Sequence, residues 1–136
     1  MQGRIKVLLA DDEKVFLVAL EKRLSARNFI TKSVTSGAEV LEEIQANPYD
    51  IVILDWKMPG IDGWATYSEL RKIKPNIPVI FLSGHADAAF ANETIKYGVD
   101  NFLFKPFSIE ELISAIENAC ERRSIAGEMK SAVPEL

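Results

Sequence analysis

The feature that most constrains the fold of this chain is the alternation of short apolar runs with segments of helical spacing. The apolar runs cover residues 5–10, 29–34, 51–54, 79–82 and 101–104. The third and fourth runs are apolar throughout, which is typical of strands covered on both faces, whereas the second alternates as an edge strand does. Strands that alternate with helices form a parallel sheet with right-handed crossovers and helices on both faces.

Helix periodicity and helix start signals fill the intervals between the apolar runs. Ser36 and Ser108 each begin a capping box, with a glutamate three residues later, and Gly98 has the position of a C-terminal cap. The five predicted helices cover residues 13–27, 63–73 and 87–97 and begin after Ser36 and Ser108. The sequence therefore predicts an α/β fold: a single domain with a doubly wound, five-stranded parallel sheet and five helices.

Composition narrows the class of protein. Of the 136 residues, 48% are hydrophobic and 26% are charged, which is typical of a folded, non-membrane domain. The net charge of -4 argues against a nucleic-acid surface, because phosphate binding needs clustered positive charge. A single cysteine, Cys120, and the lack of a signal-peptide core or membrane-length apolar stretch predict a cytoplasmic protein.

We predict a domain over residues 1–121 and a tail or linker over residues 122–136, because residues 122–136 offer too few apolar side chains for a core.

Polar residues follow four of the predicted strands at the point where each strand ends. Asp11-Asp12 follows the first run, Asp55 the third, Ser83 the fourth, and Lys105-Pro106 the fifth. Because the carboxyl ends of parallel strands meet at one crevice, we expect these side chains to lie close together. The sequence therefore predicts an acidic site with one cation and one hydroxyl.

Each of these residues also has a purely structural interpretation. Asp11 or Asp12 could cap the helix that follows, Ser83 could be a loop hydroxyl, and Lys105-Pro106 could form only a turn, since proline ends a strand. Capping does not account for a third acid at Asp55 that faces the same lysine. The grouping of all these residues therefore favours a metal site.

Four motifs at these strand ends together resemble the receiver domain of two-component response regulators. The motifs are Asp11-Asp12, residues 54–63 around Asp55, Ser83-Gly84 and Lys105-Pro106-Phe107. The resemblance covers residues 5 to about 121. It implies a flavodoxin-like sheet with strand order 2-1-3-4-5. It also implies a signalling domain, which is not an enzyme in the usual sense although it catalyses its own phosphorylation and autodephosphorylation.

The resemblance implies a role for each residue of the acidic site. Asp55 would be the phosphoacceptor, and Asp12, Asp55 and the backbone carbonyl oxygen of Lys57 would bind Mg²⁺, while Asp11 would act indirectly, through water or by orienting the metal shell. Lys105 would stabilise charge on the transferring oxygens. One Mg²⁺ and Lys105 together cancel the three carboxylate charges, and Mg²⁺ prefers oxygen ligands and keeps several waters.

The resemblance further implies a conformational switch. The hydroxyl of Ser83 would move onto the phosphoryl group, and the ring of Phe102 would turn inward. Phe102 stands where the family often has tyrosine, so we expect its inward state to depend on burial alone. The peptide bond before Pro106 would be cis. The switch would act on the surface of the predicted fourth helix, fifth strand and fifth helix, through which a homodimer could form.

The resemblance also implies the partners. His85 is the only histidine and follows Ser83 closely, so the donor histidine is expected on a histidine kinase or phosphotransfer domain. His85 and Lys57 flank the site at positions that tune the access of water in this family. The output partner would be a downstream protein or an attached effector domain, with no direct binding of nucleic acid or membrane by this chain.

Three alternatives remain open at the level of sequence. A phosphatase of the haloacid dehalogenase type also combines an aspartate, a lysine, a hydroxyl and Mg²⁺, but it needs an acid where this chain has Lys57. A phosphorylation-independent binding module would share the fold, yet such modules usually lack one of the acids or the lysine. The domain could also belong to a hybrid kinase or a multidomain regulator, with which the segment from Arg122 onward is compatible.

Overall fold

Five parallel strands form the centre of the computed structural model, which describes residues 3–58, 60, 62–84 and 101–132, without the side chains of residues 101 and 123–132. The strands are β1 (Lys6–Ala10), β2 (Ile30–Val34), β3 (Ile51–Asp55), β4 (Val79–Ser83) and β5 (Asn101–Phe104). All neighbouring strands are parallel, in the order β2-β1-β3-β4-β5. This confirms the predicted flavodoxin-like sheet and its strand order.

Four helices lie within the described residues. They are α1 (Lys14–Ala26), α2 (Gly37–Ala46), α3 (Gly63–Ile73) and α4 (Ile109–Ala132). The helix predicted over residues 87–97 and its cap at Gly98 lie outside the described residues. The four observed helices agree with the other four predicted ones, and α4 corresponds to the predicted fifth helix.

The two faces of the sheet are covered by different helices, because successive side chains of a strand point to opposite faces. In β1, Val7 and Leu9 pack into one core cluster with α1 and α4, while Leu8 and Ala10 pack into the other with α2 and α3. Every residue of β3 and β4 is buried. This burial explains why the two central runs contain no polar residue before their last position.

The predicted capping box at Ser108 is complete, whereas the one at Ser36 is present in half, because the Glu39 carboxylate accepts the Thr35 N–H at 3.1 Å. The Ser36 hydroxyl accepts a hydrogen bond from the Glu39 N–H at 3.2 Å, and the Ser108 hydroxyl accepts one from the Glu111 N–H at 3.1 Å. In the second box the Glu111 carboxylate also accepts the Ser108 N–H at 3.3 Å, so the exchange is reciprocal. These local bonds fix where α2 and α4 begin.

The last helix is longer than the sequence suggests. It runs to Ala132, past the predicted domain boundary at residue 121. Cys120 is half-buried against the cluster formed with α1, and the boundary itself stays a prediction. Among the described residues, no helix combines the length and the apolar character needed to cross a membrane.

Candidate functional site

Three carboxylates meet at the carboxyl ends of β1 and β3. Asp11 and Asp12 follow β1, and Asp55 is the last residue of β3; each offers a carboxylate oxygen, and these oxygens lie within 4.8 Å of one another. Asp11 and Asp55 are buried, whereas Asp12 is exposed. The topology thus brings together the three acids that the sequence predicted to be close.

A lysine reaches this acidic cluster from the neighbouring edge of the sheet. Lys105 directly follows β5, and its Nζ donates to Asp11 Oδ2 at 2.7 Å and lies 3.8 Å from Asp55 Oδ1. Glu13 Oε1 is 3.5 Å from the same ammonium. Sequence reasoning did not identify Glu13 as a fourth acid, although its place directly after Asp11-Asp12 was the available signal.

Asp11 has two roles in the structure. Its Oδ2 accepts the lysine hydrogen bond, and its Oδ1 accepts a hydrogen bond from the Glu13 N–H at 2.9 Å. The side chain of Glu13, at the N-cap of α1, makes no capping hydrogen bond. Glu13 holds the N-cap position, so the capping interpretation does not hold for Asp11. Asp11 instead stabilises the turn just before α1 with one carboxylate oxygen, while the other bonds Lys105 in the site.

Burial and like charge shape the titration of the site. Burial, and after it the charges of Asp11, Asp12 and Glu13, raise the pKa of Asp55 to about 7 against the opposing effect of Lys105. Burial also raises the pKa of Asp11, partly offset by its hydrogen bond with Lys105. For Lys105, burial alone would lower the pKa, but Asp11, Asp55 and Glu13 outweigh burial and the pKa is raised. The acidic groups of the cluster therefore outnumber its one ammonium group, that of Lys105.

This set of groups fits a hard divalent cation. The donors are all oxygens, two of the acids are buried, and the third is open to solvent. Mg²⁺ prefers such oxygens and retains waters on an open side. A cation bound here would also offset the repulsion that raises the pKa of Asp55. Lys57, whose carbonyl oxygen is the further predicted ligand, lies two residues after Asp55 and is exposed.

The hydroxyl and the proline lie on the β5 side of the crevice. Ser83, the last residue of β4, is buried, and its Oγ donates to the Gly84 carbonyl oxygen at 3.0 Å. The Lys105 N–H donates to the Ser83 carbonyl oxygen at 2.7 Å, which connects the ends of β4 and β5. The Lys105–Pro106 peptide bond is cis.

The predicted switch residue Phe102 belongs to a group of rings beside the site. It is half-buried, with its ring centroid 6.0 Å from that of Phe81 and 5.3 Å from that of Phe104. Trp56, directly after Asp55, packs edge-on against Phe81 at 5.8 Å and lies 6.4 Å from Trp64 of α3. Trp56 is thus part of this packed group of rings, whereas His85 lies outside the described residues.

The loop after Asp55 is shaped by a cap and a close backbone approach. Asp62 Oδ1 accepts a hydrogen bond from the Ala65 N–H at 2.8 Å and so begins α3. The Gly63 N–H donates to the Trp56 carbonyl oxygen at 2.9 Å. A Cβ atom at Gly63 would lie 2.7 Å from the Asp55 carbonyl oxygen. These residues position the backbone that carries Asp55.

We expect Gly63→Ala to disturb both stability and site. The added methyl group would clash with the backbone of Asp55 and Trp56, which is not free to move, so the free energy of unfolding should fall by about 1–3 kcal/mol. Urea denaturation measures this change. Gly3→Ala is the matched control, because nothing lies within 4 Å of a Cβ atom there. Equal stability of the two variants would contradict the close approach.

The comparison with protein families agrees with this fold and site. A family model for the response regulator receiver domain matches residues 7–117. Since that match covers most of the chain, the chain belongs to the family of response regulator receiver domains of two-component systems.

Individual relatives give the same result. The chain is 32% identical over 131 residues to the C4-dicarboxylate transport transcriptional regulatory protein DctD of Rhizobium meliloti, covering 96% of this chain and 28% of DctD. It is 34% identical to the sensor kinase CckA of Brucella abortus, over 90% of this chain and 13% of CckA. The chain thus spans less than a third of each of these relatives.

Solved structures show the same likeness in three dimensions. A response regulator receiver domain from Clostridium thermocellum superposes with a TM-score of 0.84 at 33% identity, covering 90% of this chain and 98% of that one.

Proposed function

We propose that this chain is the phosphoacceptor domain of a two-component system, with Asp55 as the phosphorylated residue. The observation that carries the proposal is the buried Asp55 carboxylate, which lies among Asp11 and Asp12 with Lys105 Nζ 3.8 Å away. This combination provides a nucleophile, a cation site and a fixed positive charge in one crevice. The donor would be a phosphohistidine on a histidine kinase or phosphotransfer domain.

The proposed reaction is a transfer between two covalent carriers. A carboxylate oxygen of Asp55 attacks phosphorus, the bond from phosphorus to the donor's imidazole nitrogen breaks, and that nitrogen keeps the electron pair and takes a proton. The product on this chain is an acyl phosphate. Mg²⁺, held by Asp12, Asp55 and the Lys57 carbonyl oxygen, with Asp11 acting indirectly, would supply charge neutralisation for the transferring oxygens.

Lys105 and Ser83 would respond to the new group. The Asp55 carboxylate would become an acyl phosphate whose phosphoryl group carries up to about two negative charges, so the site would become more negative and gain acceptor oxygens. The Lys105 ammonium, now bonded to Asp11, is close enough to Asp55 to reach the phosphoryl oxygens with a small movement. The Ser83 hydroxyl, now donated to Gly84, would turn to the same oxygens and draw the loop after β4 with it.

The output would pass through Phe102 to the surface around β5. The ring of Phe102 already packs on Phe81. Since phenylalanine has no hydroxyl to donate a hydrogen bond, only ring packing and burial would stabilise its inward conformation. We propose that this surface, which includes α4, binds a downstream protein, an attached effector or a second copy of the chain.

Light scattering should show a larger mass with a phosphoryl mimic and Mg²⁺ if a homodimer forms, and an unchanged mass would limit the output to other partners.

The phosphatase alternative finds less support in this site. Such enzymes use a second aspartate two positions after the nucleophile, and here that position holds the exposed Lys57. The direct test of the proposal is incubation with acetyl phosphate, with and without Mg²⁺, followed by intact-protein mass spectrometry. A Mg²⁺-dependent gain of one phosphoryl group supports the proposal, and steady hydrolysis of generic phosphate esters would favour the phosphatase.

A further inference from the structure

The ammonium group of Lys105 contacts an aromatic ring as well as the carboxylates. Its Nζ lies 4.3 Å from the ring centroid of Phe16, on α1, while it donates to Asp11 at 2.7 Å. A cation within about 6 Å of a ring centroid is attracted by the negative face of the ring. The ammonium is thus held by two kinds of partner, one charged and one aromatic.

The Phe16 ring is itself held in place. Phe107, two residues after Lys105, meets it edge to face, with ring centroids 6.2 Å apart and an interplanar angle of 87°. Both rings pack against the core cluster that α1 and α4 share. They line one side of a groove of about 510 Å³ that Lys105 and Glu13 also border. The ring therefore offers a fixed surface beside the acidic site.

We propose that Phe16 is a positioning residue that keeps the Lys105 ammonium beside Asp55 while the ammonium exchanges hydrogen-bond partners. This inference rests on the proposed phosphoacceptor function. Lysine has a long, flexible side chain, and holding it in one place costs conformational entropy. The ammonium has three N–H donors, but the short hydrogen bond of one of them to Asp11, at 2.7 Å, must lengthen or bend when the ammonium moves toward Asp55, 3.8 Å away.

The aromatic ring has no such conflict. Its attraction comes from the ring quadrupole and needs no particular N–H direction, so it persists while the donors turn from Asp11 to the phosphoryl group. A leucine at this position would fill much of the same space without a quadrupole. The contribution of Phe16 should therefore appear in the rate of phosphoryl uptake and not in the affinity for Mg²⁺, to which Phe16 offers no oxygen.

The test compares Phe16→Leu and the matched control Phe16→Tyr with the unmodified chain. The measured quantity is the rate constant of phosphorylation by acetyl phosphate at saturating Mg²⁺, together with the midpoint of the Mg²⁺ titration followed by tryptophan fluorescence. We expect Phe16→Leu to slow uptake about 3- to 10-fold with an unchanged Mg²⁺ midpoint. Phe16→Tyr should stay within about twofold, because it keeps a ring against the ammonium.

Two results would overturn the inference: an unchanged rate in Phe16→Leu, or an equal loss in Phe16→Tyr, which would indicate packing alone. If the leucine variant does not fold, phenylalanines with one, two and three ring fluorines at position 16 keep the shape and weaken the quadrupole stepwise. Rates that fall in that order support the inference, and rates without a trend overturn it.

A nuclear magnetic resonance measurement separates this inference from the proposed function. Lack of phosphoryl uptake by the unmodified chain at saturating Mg²⁺ would reject the phosphoacceptor function. The ¹⁵N order parameter of the Lys105 ammonium reports how firmly the lysine is held without any phosphorylation. A lower order parameter is expected in Phe16→Leu than in Phe16→Tyr and the unmodified chain, and equal values in all three proteins would overturn the positioning role.

Discussion

Asp55→Asn is expected to abolish phosphoryl uptake from acetyl phosphate. The buried carboxylate is the proposed nucleophile, and an amide of nearly the same size is far less nucleophilic and cannot give the same acyl phosphate. The side chain should still fit its place at the end of β3, so the fold is retained. Intact-protein mass spectrometry should show one phosphoryl group on the unmodified chain with Mg²⁺ and none on the variant.

Asp62→Asn is the matched control for this experiment. It also removes one carboxylate from the loop after β3, but Asp62 serves as the cap of α3, and asparagine caps helices equally well. The control should take up a phosphoryl group at close to the unmodified rate. Uptake by Asp55→Asn at the unmodified rate would place the modification on another residue and contradict the proposed role of Asp55.

The second large effect is a pH dependence of stability in the metal-free protein. Asp55 has a pKa of about 7 in the folded chain and an ordinary value of 3.8, so between these values the unfolded chain releases the proton while the folded chain keeps it. Asp55 thus favours folding most at low pH, and its contribution is lost as pH rises through about 7. The roughly 3 pKa units between the two values correspond to about 4 kcal/mol, as an upper figure.

The difference between the unmodified chain and Asp55→Asn isolates this contribution. The measured quantity is the free energy of unfolding of Asp55→Asn minus that of the unmodified chain, from urea denaturation with a chelator. This difference should be about 2–4 kcal/mol larger at pH 8 than at pH 4, because asparagine does not titrate. Groups such as Glu39, whose lowered pKa acts in the opposite sense, are present in both proteins and cancel in the comparison. Saturating Mg²⁺ should stabilise the unmodified chain more than the variant. If the free energies of unfolding of the two proteins differed by the same amount at every pH from 4 to 8, the structure would not disfavour the ionised Asp55 carboxylate.

Much of the fold could be predicted because its signals are local. Uninterrupted apolar runs mark β3 and β4, and the capping boxes at Ser36 and Ser108 mark the beginnings of α2 and α4. The end of α4 at Ala132 could not be predicted in the same way. The prediction placed the domain boundary at residue 121 because core residues end there. A helix adds one backbone hydrogen bond for each further residue and can continue without an apolar face, so the end of the core does not mark the end of the helix.

The sequence by itself determined which chemical groups stand at the strand ends, because a parallel sheet with this strand order collects them at one edge. Only the tertiary structure decided how those groups share their contacts. Asp11 divides its two oxygens between Lys105 and the start of α1, Glu13 joins the acids, and Phe16 of α1 meets a lysine that follows β5. These pairings depend on the rotation of α1 against the sheet and on side-chain rotamers. Packing between elements distant in sequence sets both of these, and the periodicity of one segment does not encode them.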